Sequence, residues 1–128
     1  IKDGFEDNII DRLRNVLLKK MGSDHIDFLN NLELTYSTEK YLFVHAGIDP
    51  NKNITEQTKK DYLWSRSSDF FHKDFKTEKT IIHGHTPEQN IVNHPYRVNI
   101  DTGCYFSGKL SCVCLNDLND SRSFISNL

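Results

Sequence analysis

Residues 81–90, IIHGHTPEQN, run apolar and then place two histidines, His83 and His85, where a buried strand should turn out into solvent. Residues 41–50, YLFVHAGIDP, repeat the pattern: an apolar run, a histidine, a small residue, a glycine and a turn. Tyr41, Leu42, Phe43 and Val44 are apolar on both faces of an extended chain, and so are Ile81 and Ile82. Runs of this kind read as central strands covered on both sides, which is the mark of an α/β sheet. In such sheets ligands gather beyond the strand C-termini, where His45 and His85 fall.

Outward from these strands the chain reads as mixed α/β. Residues 7–20, DNIIDRLRNVLLKK, carry Ile9, Ile10, Leu13, Val16 and Leu17 on one helical face, with Asp7 as cap and Lys19 and Lys20 at the negative end of the dipole. A second, shorter helix follows the break MGS, capped by Ser23 or Asp24, and reads as a docking element with His25 on its surface. A short helix is expected from about Thr55 into LWSR, and SDFFHKDF reads as aromatic but irregular. NIVNHPYRVNID reads as two strands about a turn at His94-Pro95, and GKLSCVCLND as a last strand. No repeat, low-complexity tract or linker interrupts the 128 residues, so one domain is expected, with a helical segment at 1–35 and the sheet and its loops at 36–128.

Eight Phe, five Tyr and one Trp suffice to anchor a core despite 27% charged residues. A formal charge of −2 offers no general attraction for nucleic acid or an acidic membrane, and no apolar run approaches the roughly 18 residues of a membrane span. No signal peptide is visible, and three cysteines cannot all pair within one chain, so a reducing cytoplasm is expected, with Cys112 and Cys114 as buried thiols on one strand face. The chain begins with Ile, as a fragment of a longer protein would.

Two imidazoles at adjacent strand ends can face one metal ion, and Gly47 and Gly84 would keep the crowded backbone clear of it. His83, two residues before His85, shares its face at a period of two. It reads either as a packed histidine or as a further contact in the site. Arg66, in LWSR, has the planar fork that grips phosphate oxygens, and Trp64 has the bulk to fix the loop.

FVHAGIDP, YLWSR, IIHGHTP and VNIDTGCYFSGKLSCVCL occur in an order and at spacings that resemble the C-terminal half of the calcineurin-like metallophosphoesterases. The likeness spans about residues 24–117 and is nearest the bacterial and phage serine/threonine phosphoprotein phosphatases, with the symmetrical diadenosine tetraphosphatases close by. It implies an α/β fold in which a β-sandwich is flanked by helices (α-β-β-α). It also implies a two-metal site at the sheet edge, with Mn2+ first and Fe or Zn2+ as other fits. Carried over, His45 and His85 bind one ion, and Arg66 is the catalytic contact to the substrate phosphate. The activity implied is attack on a phosphoester by a hydroxide shared between two metals. The substrate is a phosphorylated protein or, alternatively, a dinucleoside tetraphosphate; a third reading is a non-catalytic binding domain. The family motifs GDxHG, GDxxDRG and GNH[ED], which supply the remaining ligands and the proton donor, are not in this sequence. The segment bearing them is therefore the partner the site needs, and these 128 residues alone are expected to be inactive.

Overall fold

The structure, a computed structural model, describes residues 3–116, 118–119 and 121–127. It divides into two compact units, residues 1–33 and 34–128. The first holds helix α1 (Asp3–Lys20) and helix α2 (Ser23–Asn30). α1 begins at Asp3, so Asp7 lies inside the helix and is not its cap. Lys19 and Lys20 do occupy the last turn. The periodic stripe Ile9, Ile10, Leu13, Val16 and Leu17 is exposed, so the amphipathic pattern predicted the helix but not a buried face. The cap of α2 is Gly22 and not Ser23 or Asp24, because the Ser23 hydroxyl is turned onto the Asp24 carboxylate at 3.2 Å.

The second unit is built on a five-stranded sheet ordered β1-β2-β3-β5-β4. The strands are β1 (Tyr36–Ser37), β2 (Tyr41–Phe43), β3 (Thr80–His83), β4 (Val92–Asn93) and β5 (Arg97–Asn99). β2, β3 and β5 are parallel and central, with Leu42 opposite Ile81 and Ile81 opposite Arg97; β1 and β4 are antiparallel edges. β6 (Ser111–Asn116) and β7 (Ser121–Ser126) form a separate antiparallel pair. β1 and β7 are too short or too polar to stand out in the sequence, where only alternation marks a strand.

Strand alternation divides the core in two. On one face Leu42 and Ile81 join Ile48 and Phe70, with Tyr62, Phe71 and Phe75 packed against them. On the other, Tyr41, Ile82 and Val98 meet Val113 and Leu115 of β6, so helices, sheet and second sheet stack in layers. Arg122 on β7 ties the layers by donating to Thr80 Oγ1 at 2.8 Å and to the His94 carbonyl at 2.9 Å. Because Val113 and Leu115 face inward, the period of two turns Cys112 and Cys114 outward. All three cysteines are free and exposed, which corrects the expectation of buried thiols.

The helical layer holds helix α3 (Lys59–Trp64) and helix α4 (Ser68–His72). α3 follows a short 3-10 turn, Ile54–Glu56, and opens on a reciprocal cap. Thr58 Oγ1 accepts the Asp61 N–H at 3.3 Å, and Asp61 Oδ2 accepts the Thr58 N–H at 2.8 Å. α4 replaces the irregular stretch expected at SDFFHKDF; the Ser67 hydroxyl accepts the Asp69 N–H at 3.2 Å and starts the turn. That turn drives Phe70 beneath Gly47, whose φ is 146°. A Cβ there would lie 2.6 Å from the Phe70 ring, so the space left by Gly47 is taken by Phe70. A third short helix, α5 (Cys104–Ser107), connects β5 to β6.

Candidate functional site

The parallel pairing of β2 and β3 continues past the strand ends: the Gly84 N–H donates to the His45 carbonyl at 2.9 Å. Both chains therefore leave the sheet at the same edge. There the Thr86 N–H bonds back to the Gly84 carbonyl at 2.8 Å, closing a three-residue turn with His85 at its centre and a φ of 69°. A non-glycine residue at positive φ is strained, and such strain persists where the surroundings over-determine it. The turn swings the His85 ring out of strand alternation and onto His45, with Nε2 of His45 2.9 Å from Nδ1 of His85. Trp64 stands edge-on to His85 with ring centroids 5.5 Å apart.

The loop that brings Trp64 is anchored on the first strand end. The Ala46 N–H donates to the Tyr62 carbonyl at 2.7 Å, and the buried Ser65 hydroxyl donates to the Ile48 carbonyl at 3.0 Å. Arg66 follows, exposed, with no hydrogen bond or ion pair to the described residues. Burial, then the neighbouring His45, then the Arg66 charge hold the His85 imidazole below its ordinary pKa.

His83 is not part of this pair. It is 2% exposed and lies between Phe70 and Phe71, with centroids at 4.9 and 5.8 Å. The reason is the turn at His85, which breaks the shared face that a period of two predicts. Burial, with the Arg97 charge adding to it, lowers the His83 pKa from 6.5 to about 4. The unfolded chain therefore takes up the proton first as pH falls. The stabilisation from neutral His83 is complete above about pH 6.5 and is lost progressively toward pH 4, for a total of about 3 kcal/mol. Urea midpoints measured from pH 7 to pH 4 are expected to show this slope, and His83→Phe is expected to flatten it; an unchanged slope would remove His83 as its source.

Two residues escaped sequence reasoning. Asn99 is fully buried and clips two loops together, accepting the Asp101 N–H at 3.0 Å and donating to the Thr86 carbonyl at 2.8 Å. Asp101 accepts the Gly103 N–H at 2.9 Å, and its charge favours the protonated form of both His83 and His85. A Cβ on Gly84 would meet Asp101 Cβ at 3.2 Å, so this glycine, too, makes room for protein. The signal was available: VNID is a third apolar run ending in polar residues, in register with His83 through Asn99.

For a metal ion, the two imidazole nitrogens fit one side of a coordination sphere. Their 2.9 Å separation suits ligands at about 2.0–2.1 Å subtending roughly a right angle. Nε2 of His85 is buried without a partner in the described residues. Among those residues no group of three or more His, Cys, Asp or Glu converges to hold an ion. The chain thus brings two imidazoles together beside an exposed guanidinium that has no hydrogen bond or ion pair among the described residues. No described helix is long and apolar enough to cross a membrane.

No family model matches the chain. It is 54% identical over 41 residues to the asymmetrical bis(5'-nucleosyl)-tetraphosphatase PrpE of Bacillus mycoides strain KBAB4, a match over 30% of this chain and 16% of that protein. Its fold is that of a solved structure assigned as a diadenosine tetraphosphatase, with a TM-score of 0.69 and 13% identity, covering 94% of this chain and 63% of the other. The chain therefore spans less than two thirds of the length of the proteins it matches.

Proposed function

We propose that these residues form part of the active site of a metal-dependent hydrolase that cleaves dinucleoside tetraphosphates. The observation that carries this reading is the convergence of His45 and His85 at 2.9 Å beside the free, exposed Arg66. Arg66 is suited to clamp two oxygens of a phosphoryl group and to stabilise charge as it develops. Trp64 limits where the His85 ring can move. His45 and His85 would hold a divalent ion, Mn2+ being one that suits imidazole and carboxylate donors. When bound, that ion would polarise the phosphoryl oxygens and acidify water. The further ligands and the proton donor would come from a segment carrying GDxHG, GDxxDRG and GNH[ED]. The similarity to a tetraphosphatase supports a nucleotide substrate over the phosphoprotein suggested by motif resemblance.

The test is to incubate diadenosine tetraphosphate and Mn2+ with the chain joined to such a segment, and to separate the products. ATP plus AMP is expected if the cut follows the asymmetrical relative, and two ADP if it is symmetrical. An intact dinucleotide with a hydrolysed phosphopeptide would return the phosphoprotein reading. In the same protein Arg66→Ala is expected to lower kcat/KM by about 2–4 kcal/mol, or roughly 30- to 1,000-fold. Unchanged turnover would remove Arg66 from the site.

A further inference from the structure

On the helix-facing side of the sheet, two side chains more than nine-tenths buried carry polar atoms with no partner among the described residues. They are Nε and Nη1 of Arg97, 4% exposed, and Nε2 of His83, 2% exposed. Both groups pack on the same two rings. The Arg97 Cζ lies 5.8 and 5.3 Å from the centroids of Phe70 and Phe71, against which His83 also rests. Nη2 of Arg97 is occupied, donating to the Phe71 carbonyl at 2.8 Å.

The unpaired atoms are chemically complementary. A guanidinium only donates. Nδ1 of His83 lies 3.2 Å from the Gly84 carbonyl, which only accepts, so the imidazole proton is on Nδ1 and Nε2 is a bare lone pair. The two are not in direct hydrogen bond, and an anion between them could accept from Arg97 but could give nothing to Nε2. A molecule that both accepts and donates matches their chemistry, and buried polar groups of this kind are commonly satisfied by an internal water.

We propose that one internal water accepts an N–H from Arg97 and donates an O–H to Nε2 of His83, which makes Arg97 a positioning residue for the His85 turn. The path is short. The water locks His83 in the Nδ1–H tautomer, and Nδ1–H holds the Gly84 carbonyl. That same carbonyl accepts the Thr86 N–H across His85. The proposal stands on the buried cluster alone and does not depend on the substrate or the reaction.

Long-range 1H–15N spectra of the labelled chain report which nitrogen of His83 carries the proton. A single Nδ1–H tautomer is expected, with an Overhauser effect from the ring to a long-lived water. Arg97→Met is expected to lose that water and give a mixture of tautomers, with the His85 and Thr86 amide signals shifted. Arg97→Lys, which keeps a charged donor, is expected to retain the Nδ1–H form. A proton on Nε2 in the unmodified chain, or no long-lived water at the ring, would overturn the proposal even if Arg97→Met failed to fold. Unchanged His83 signals in a folded Arg97→Met protein would do the same.

Discussion

In excess Mn2+, the 128 residues by themselves are expected to leave diadenosine tetraphosphate, p-nitrophenyl phosphate and a phosphopeptide unhydrolysed above the metal-only background. The His45–His85 pair would supply two nitrogen ligands, and no third His, Cys, Asp or Glu joins them among the described residues. Two imidazoles without a carboxylate hold a divalent ion weakly, and more weakly as the pH falls and protons compete for their lone pairs. A site able to assemble two ions some 3.5–4 Å apart needs a shared ligand between them. Loss of general-acid assistance removes a further factor of roughly 10²–10⁴. Adding the segment with the three further motifs, in cis or in trans, is expected to restore turnover. Robust hydrolysis by the purified chain, abolished by His45→Ala, would mean that the site is complete within these residues and that this account of its ligands is wrong.

Phe70→Ala is expected to produce the largest loss of stability, about 3–5 kcal/mol, the range for emptying an aromatic position in a packed core. Phe70 is 0% exposed and joins Leu42, Ile48 and Ile81 in the helix-side cluster. Its ring meets Phe71 at 5.2 Å, Phe75 at 5.5 Å and His83 at 4.9 Å, and it seats under Gly47. Against a typical total of about 5–15 kcal/mol, such a loss removes a large fraction of the unit's stability. Urea unfolding followed by circular dichroism would measure it, with Phe70→Leu expected to cost a fraction as much because most of the volume is kept. A shift under about 1 kcal/mol for Phe70→Ala would show that helix α4 is not held by this ring.

Much of the sheet was legible because its information is local. The apolar runs at Tyr41–Val44 and at Ile81 and Ile82 specify strands covered on both faces. In the structure β2 and β3 are indeed central and parallel, packed on one side by Phe70 and on the other by Val113 and Leu115. His45 and His85 could be singled out for the same reason, each lying just beyond an apolar run. Helix α4 was missed because it rests on one hydroxyl, Ser67, and on a place for Phe70 that Gly47 provides from 23 positions away in sequence.

The residues by themselves determined the periods: apolar stretches that must be buried as strands, a helical stripe in residues 9–17, and histidines at two strand ends. Only the tertiary structure decided which way those periods face. Register set Val113 and Leu115 inward and so Cys112 and Cys114 outward. The strained turn at His85 separated it from His83, sending one ring to His45 and the other under Phe70 and Phe71. A residue's own neighbours fix its period, but its partner 40 positions away is fixed by the pairing of whole strands and the turn that ends them.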